Sequence, residues 1–266
     1  MTSSTPPSAP PSCGIIYLVS GGRSYLGELI TSLKSLRRHE PDLPVTVYYR
    51  FRVPASLRAD WVPLDSREHP LKLKVLTLRQ APYERTLFMD TDITVHGPVR
   101  PVFENLDRHE FCAANSHEAD WSVAPPRFVA MVKPRDYNTG VLLYRKSEAF
   151  LRFLTRWEQA VLAQDPLDMW AGHNCDQYHF NTLVSAGVLE ECGVNFGELD
   201  NIVWNCRGIM REPVRALGRE GDIRLFHHRT RAMKLRKLLY SATDPSTARD
   251  VFRKIGARIQ SVFRKS

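Results

Sequence analysis

Long hydrophobic runs are missing from this sequence. Its longest purely apolar stretches have five residues, as at 15–19, whereas a membrane-spanning helix needs about 20. The first twelve residues carry neither a basic side chain nor an apolar stretch, so we expect no secretory signal. These absences exclude a transmembrane protein and a secreted precursor from the expected classes.

Cysteine pairs are missing as well. The five cysteines stand at positions 13, 112, 175, 192 and 206; their number is odd, and none forms a CxxC pair. This pattern argues against a disulfide framework and favours a cytoplasmic protein. The 266 residues are 43% hydrophobic and 25% charged, which is typical of a globular chain of one or two domains.

The positive charge is concentrated at the C-terminus. The formal net charge is +8, yet residues 229–266 hold eleven Lys or Arg and only two Asp. Residues 246–265 place apolar side chains along one helical face and basic ones on most of the rest. Such a helix can lie on an anionic surface at the inner face of a membrane, or pack on the protein, and both alternatives stay open. No nucleic-acid recognition motif accompanies it, so no nucleic-acid partner is expected.

The rest of the chain alternates between strand and helix patterns. Residues 14–20 form a short, partly β-branched apolar run, leucines and Ile30 follow at helical spacing, and 45–49 form a second apolar run. This order predicts an α/β fold with a mostly parallel, helix-covered sheet. Further strands are predicted at 86–90, 111–114, 141–144 and 223–226, and further helices at 71–78, 150–161 and 176–186. The Ser-, Thr- and Pro-rich segment 1–12 is predicted to be a disordered leader.

Two carboxylates follow a buried strand in the segment Leu87-Phe-Met-Asp-Thr-Asp92. Ligands of open α/β sheets bind at the carboxyl ends of strands, which is where this segment ends. If the strand geometry continues, Asp90 and Asp92 face the same side. Paired carboxylates suit Mg²⁺ or Mn²⁺, and such an ion suits a diphosphate.

The segment 81–95 resembles the DxD region of the retaining glycosyltransferases of family 8, the glycogenin and lipopolysaccharide galactosyltransferase group. The resemblance extends over roughly 14–234 and implies the GT-A fold, a nucleotide-sugar donor of which UDP is the usual nucleotide, and Mn²⁺ or Mg²⁺ as the cofactor. Taken together with the composition of the two ends, it predicts a leader at 1–12, a GT-A catalytic domain at 13–240 and a basic helix at 241–266.

The same resemblance assigns roles to individual residues. It implies base and ribose contacts from Val19, Gly21, Gly22 and Tyr25, and donor phosphate or sugar contacts from Lys72, Thr91, Asn138, Thr139 and Lys234. The 138–140 segment would be a turn. Asp176 and Gln177 would lie beside the anomeric carbon as the catalytic pair. Asp90 and Asp92 would be metal ligands, with His227 or His228 as the third.

Two alternatives remain at this stage. Two criteria give different answers for the third metal ligand. The spacing back from Lys234 favours His228, whereas the apolar run before the histidine pair favours His227, and we prefer His227. The segment 88–95 also fits the nucleophile motif of haloacid-dehalogenase phosphohydrolases, in which Asp90 would attack phosphorus. The preferred function is metal-dependent transfer of a sugar, with retention of configuration, to an acceptor hydroxyl. A membrane-bound tail would favour a glycolipid or cell-surface glycan as the acceptor.

Overall fold

The structure is a computed structural model of the chain. It describes residues 12–20, 23–50, 57–66, 68–116, 119–120, 127–128, 136–164 and 175–228. Several predictions fall on residues outside these ranges: the leader apart from Ser12, Gly21, Gly22, Lys234 and the basic helix at 241–266.

The strands and helices of the described ranges are numbered in chain order. The strands are β1 (Cys13–Val19), β2 (Val45–Tyr49), β3 (Asp60–Pro63), β4 (Arg85–Met89), β5 (Ile93–Val95), β6 (Phe111–Asn115), β7 (Ala119–Asp120), β8 (Arg127–Phe128), β9 (Tyr137–Arg145), β10 (Phe196–Leu199), β11 (Cys206–Arg207) and β12 (Leu225–His227). The α-helices are α1 (Arg23–His39), α2 (Pro70–Gln80), α3 (Glu148–Ala163), α4 (Cys175–Ser185), α5 (Val188–Glu191), α6 (Asn201–Trp204) and α7 (Arg211–Ala216). Short 3₁₀ helices occur at Arg100–Asp107, Gly208–Met210 and Glu220–Asp222. None of the described helices is long and apolar enough to cross a membrane.

A seven-stranded sheet organises the molecule. Its strand order is β10-β6-β9-β4-β1-β2-β3, and every strand runs in the same direction except β9, which is antiparallel to both β4 and β6. The carboxyl ends of β1, β4 and β6 and the amino end of β9 therefore share one edge. This mostly parallel sheet with helices on its faces confirms the predicted α/β class.

The predicted strands and helices occur close to their predicted positions, with one correction. The segment 138–140, predicted as a turn, lies inside β9. Its first residue, Asn138, is opposite Ala114, and Val141, which follows the segment, is opposite Met89. The pairing shifts register between Ala113 and Ala114, which accommodates the segment within the ladder. Both faces of β9 are buried here, so hydrogen bonding within the sheet outweighs the turn preference of Asn and Gly.

Two hydrophobic cores cover the two faces of the sheet. Alternate side chains point to opposite faces, so Ile16 and Phe88 join the core beneath α2, α3 and α4, while Ile15 and Leu87 join the core beneath α1. Trp157 of α3 is fully buried in the first core. Each such apolar side chain contributes roughly 1.5–3 kcal/mol on burial, so the cores hold the strand ends in fixed positions.

A second, smaller sheet is attached to the carboxyl end of β4. β5 starts after the three-residue turn Asp90–Asp92 and pairs antiparallel with β12, which pairs parallel with β11. Because His227 lies opposite Ile93 in this pairing, the end of the described chain is brought back to the Asp90–Asp92 turn.

Candidate active site

Asp90 and Asp92 lie on the turn that leaves β4. The backbone N–H of Asp90 donates to the carbonyl oxygen of Gly140 at 2.8 Å, and that of Ile93 donates to the carbonyl oxygen of Asp90 at 3.3 Å. The strand does not continue through Asp92 as the period-two argument assumed. The tight turn brings the two carboxylates together instead, since each offers an oxygen within 4.8 Å of the other.

His227 joins the two carboxylates. Its Nε2 lies 3.2 Å from Oδ1 of Asp92, and its Nδ1 lies 2.9 Å from Oδ1 of Asn205. The side chain of His228 faces elsewhere, with its Nε2 at 2.7 Å from Oγ1 of Thr94. Neighbouring residues of a strand face opposite sides, so β12 presents only His227 to the carboxylates.

Gly140 lets the imidazole approach the sheet. A Cβ atom at position 140 would lie 2.4 Å from Cε1 of His227 and 2.8 Å from Oδ1 of Asn138. Those separations are far inside van der Waals contact, so any larger residue would displace one of these side chains. The glycine of the 138–140 segment is thus required by this close approach and not by a turn.

Lys74 links the cluster of Asp90, Asp92 and His227 to α4. Its Nζ lies 3.0 Å from Oδ1 of Asp90 and 2.8 Å from Oδ2 of Asp176, and it donates to the carbonyl oxygen of Thr139 at 3.2 Å. Burial alone would lower the pKa of Lys74, but the negative charges of Asp176 and Asp90 outweigh it and raise that pKa. The lysine is therefore a fixed positive charge between two carboxylates.

The two carboxyl groups respond to their surroundings in opposite ways. Burial would raise the pKa of Asp176, but the charge and hydrogen bond of Lys74, with a hydrogen bond from Thr139, lower it. Burial raises the pKa of Asp90, and the negative charge of Asp92 adds to that effect, while Lys74 opposes it. Asp176 is thus held as a carboxylate, whereas burial and the nearby carboxylate of Asp92 oppose the ionisation of Asp90.

Lys74 is the residue that sequence reasoning missed. The resemblance pointed to Lys72, but Nζ of Lys72 donates to the carbonyl oxygens of Leu162 and Gln164, at 2.9 and 2.8 Å. Lys72 thus ties α2 to the end of α3. The two lysines are two positions apart on α2, so their side chains project in different directions. The sequence alone does not show which face of α2 meets the site, and so it could not show which lysine lies there.

The 138–139 segment is joined to the start of α4. Oγ1 of Thr139 donates to Oδ2 of Asp176 at 2.6 Å, and Nδ2 of Asn138 donates to Oε1 of Gln177 at 3.0 Å. Nε1 of Trp157 donates to the carbonyl oxygen of Asp176 at 3.0 Å and so anchors the first turn of α4 to the core. The residues that the resemblance grouped around a donor sugar therefore lie within one hydrogen-bonded cluster.

Val19 and Tyr25, the two residues of the predicted nucleotide end that the structure describes, lie at the neighbouring part of the same sheet edge. Val19 is buried at the carboxyl end of β1 beside β2, and Tyr25 is half-buried on the first turns of α1. Oγ1 of Thr91 donates to Oε2 of Glu28 at 3.1 Å, so its side chain fastens the Asp90–Asp92 turn to α1. Binding of a nucleotide by these residues stays a prediction.

Comparison by sequence finds no relatives. No protein-family model matches the chain. No curated protein matches it either.

Comparison by structure does find similar proteins. The glycosyltransferase GlyE of Streptococcus pneumoniae TIGR4 is 15% identical, with a TM-score of 0.56 over 93% of this chain and 64% of its own. A glycosyltransferase involved in glycosylation of the major capsid of PBCV-1 is 15% identical, with a TM-score of 0.51 over 85% and 98%. The bifunctional glycosyltransferase WbbM is 10% identical, with a TM-score of 0.53 over 94% and 53%. The chain thus spans less than two thirds of GlyE and about half of WbbM.

These likenesses define the class of fold. At 10–15% identity they show that the chain has the α/β fold of glycosyltransferases, as the sequence predicts. Membership of family 8 in particular stays a prediction. The neighbours do not favour the phosphohydrolase alternative for Asp90.

The residues at the carboxyl end of β4 fit a divalent cation of the kind that such folds commonly use. Asp90, Asp92 and His227 each offer a ligand atom, and all three atoms lie within 4.8 Å of one another. Carboxylate oxygens suit Mg²⁺ and Mn²⁺, and an imidazole nitrogen favours Mn²⁺ of the two. Burial is the main cause of the raised pKa of Asp90, and a cation would offset the repulsion from Asp92 that adds to it.

Proposed function

We propose that the protein is a metal-dependent glycosyltransferase that moves a sugar from a nucleoside-diphosphate donor, with UDP as the preferred nucleotide, to an acceptor hydroxyl. One observation carries the proposal. On a glycosyltransferase fold, Asp90, Asp92 and His227 converge beside the Lys74–Asp176 ion pair, at the sheet edge where α/β proteins bind ligands.

Asp90, Asp92 and His227 would hold Mn²⁺ or Mg²⁺. The ion supplies positive charge and Lewis acidity for a diphosphate leaving group. The three ligands belong to the Asp90–Asp92 turn and to β12, and paired β5 and β12 keep them together without the ion.

Lys74 adds a permanent positive charge next to this cluster. Its raised pKa keeps the ammonium protonated, so it can stabilise negative charge that develops on a leaving phosphate. Asp176, held ionised by Lys74, can accept hydrogen bonds from sugar hydroxyls. Asn138 and Gln177, which already contact each other, can orient the sugar around its anomeric carbon.

Retention of anomeric configuration is the stereochemistry that we propose. Lys74 lowers the pKa of Asp176 and so makes it a weak base, and Asp90 would be bound to the cation, so neither carboxylate is well suited to remove a proton from an acceptor. The acceptor's proton would then pass to the leaving phosphate on the same face. We propose a glycan hydroxyl as the acceptor; a glycolipid would follow if residues 246–266 bind a membrane.

Calorimetric titration with UDP tests the proposal. We expect UDP to bind at least about tenfold more tightly with Mn²⁺ than with EDTA, because the ion offsets repulsion between the carboxylates and the diphosphate. GDP and inorganic phosphate serve as comparison ligands and should bind more weakly than UDP. Equal UDP affinity with and without Mn²⁺ would contradict the proposed metal role, and no affinity for any nucleoside diphosphate would contradict the function.

A further inference from the structure

A backbone N–H group fixes the orientation of a buried asparagine beside the site. The N–H of Gly140 points at the side-chain amide of Asn138, with a nitrogen–oxygen distance of 3.0 Å. A backbone N–H can only donate, so the atom of Asn138 that faces it must be the carbonyl oxygen Oδ1. Nδ2 of Asn138 then faces Oε1 of Gln177, where it donates, so both ends of the amide are satisfied.

The orientation of Asn138 determines that of Asn205. Oδ1 of Asn138 has a second lone pair and lies 2.9 Å from the amide of Asn205. Two oxygens at that separation would repel, so Asn205 must turn its NH₂ group towards Asn138. Its own Oδ1 then faces Nδ1 of His227 at 2.9 Å. Asn205 is only 3% exposed, so water does not compete freely for either contact.

The orientation of Asn205 in turn determines the tautomer of His227. An oxygen at 2.9 Å from Nδ1 requires that Nδ1 carries a proton. In the neutral ring the other nitrogen, Nε2, is then left with its lone pair. Nε2 is the nitrogen that faces Asp92, within the three-residue cluster.

We propose that Asn205 is a positioning residue for the metal ligand His227. The backbone N–H of Gly140 fixes the amide of Asn138, and Asn138 in turn fixes the amide of Asn205. Asn205 therefore keeps the proton of His227 on Nδ1 and directs the Nε2 lone pair at the cation. The inference deepens the proposed function and rests on its metal site. Partners of this kind orient metal-bound histidines in other proteins, and their loss typically reduces metal affinity about 10–100-fold. Asn205 lies between α6 and β11, far in sequence from both Asp90 and His227.

The test compares Asn205→Ala with Asn205→Asp by Mn²⁺ binding, measured by electron paramagnetic resonance without nucleotide. Alanine removes the acceptor, frees His227 to place its proton on Nε2, and should weaken Mn²⁺ binding about 10–100-fold. Aspartate keeps an oxygen that faces Nδ1–H and adds a negative charge that strengthens this contact, but its second oxygen replaces the NH₂ group that donates to Asn138. Mn²⁺ affinity should therefore fall by less than about tenfold, and by less than in the alanine variant. Asn105→Ala, the same change in the Arg100–Asp107 helix, should leave Mn²⁺ affinity unchanged. Equal losses in the alanine and aspartate variants would mean a merely structural role and would overturn the inference, as would no loss in either.

A second measurement tests the position of the proton on His227 independently of whether the protein binds a metal. Long-range ¹H–¹⁵N spectra of the full chain, with the His227 signal assigned by its loss in His227→Gln, report which ring nitrogens carry protons. We expect a proton on Nδ1 with and without Mg²⁺, and an unprotonated Nδ1 in the wild type overturns the inference. If the wild type binds no divalent cation, the metal role in the proposed function fails, while a protonated Nδ1 would still support the hydrogen-bonded chain from Gly140.

Discussion

Asp92→Asn is expected to abolish metal-dependent transfer while the fold survives. The substitution keeps the size of the side chain but removes one of the two carboxylates near His227. Loss of an indirect partner of a metal ligand costs about 10–100-fold in affinity, so loss of a ligand should exceed about 100-fold for Mn²⁺. Turnover with a nucleotide sugar should fall by at least the same factor at Mn²⁺ concentrations that saturate the wild type.

The stability of the metal-free Asp92→Asn protein should change in the opposite direction. The negative charge of Asp92 contributes to the raised pKa of Asp90, so ionised Asp90 costs the native state stability at neutral pH. Asp92→Asn removes that charge and so lowers the cost of ionised Asp90 at any pH above about 3.9, the ordinary pKa of an aspartate. We therefore expect the metal-free variant to melt at the same temperature as the wild type or at a higher one.

Asp107→Asn is the matched control for this change. Asp107 pairs with Arg85 at the amino end of β4, so the control removes a carboxylate at the opposite end of the same strand. It should retain Mn²⁺ binding and turnover. An Asp92→Asn protein with wild-type turnover would contradict the metal assignment, and one that is unfolded would contradict the argument from charge repulsion.

Lys74→Met should lower both stability and turnover. The substitution keeps most of the apolar stem but leaves Asp176, whose side chain is 8% exposed, without its cation. Removal of one partner of a buried pair typically destabilises a protein by about 3–5 kcal/mol. Asp90 is partly exposed and is screened by water, so we expect the lower end, about 3 kcal/mol, with the main cost at Asp176.

The pH dependence of this loss has a definite sign. Without Lys74, burial dominates and the pKa of Asp176 rises above its ordinary value. The variant should therefore regain stability as the pH falls from the raised pKa of Asp176 to the ordinary aspartate value of about 4, because folded Asp176 takes up a proton in that range, and it should lose this stability as the pH rises. Denaturant titration at several pH values measures the effect. The double variant Lys74→Met/Asp176→Asn should recover part of the stability at neutral pH but none of the turnover.

Lys72→Met is the comparison that separates the two lysines. Lys72 donates to two carbonyl oxygens at the end of α3, so its loss should reduce stability. Its effect on turnover, measured well below the melting temperature, should be much smaller than that of Lys74→Met. If Lys72→Met instead lowered turnover more than Lys74→Met, the result would support the donor-binding role that the resemblance gives to Lys72.

Much of the fold was predictable because its signals are local. The apolar runs at 14–20, 45–49 and 86–90 are each a strand that neighbours cover on both faces, and such strands are apolar throughout. The helix at 150–161 shows its buried face directly in its spacing. Asn138 and Gly140 misled the turn prediction because their neighbours in β4 and β6 are far away in sequence.

The site was predictable only in part. Asp90 and Asp92 could be proposed because they follow an apolar strand. His227 could be proposed because the family resemblance points to the histidine pair and an apolar run precedes His227. Lys74 and Asn205 could not, since their roles depend on which helix face meets Asp176 and on the orientation of an amide.

The most direct test of the central claim is electron–nuclear double resonance of Mn²⁺ bound to the protein together with UDP. We expect coupling of the ion to one histidine nitrogen and to phosphorus of the nucleotide. The nitrogen coupling should disappear in His227→Gln and persist in His228→Gln, because only His227 faces Asp92. Nitrogen coupling that survives in His227→Gln, or Mn²⁺ without phosphorus coupling, would contradict a site in which Asp90, Asp92 and His227 hold a cation against a diphosphate.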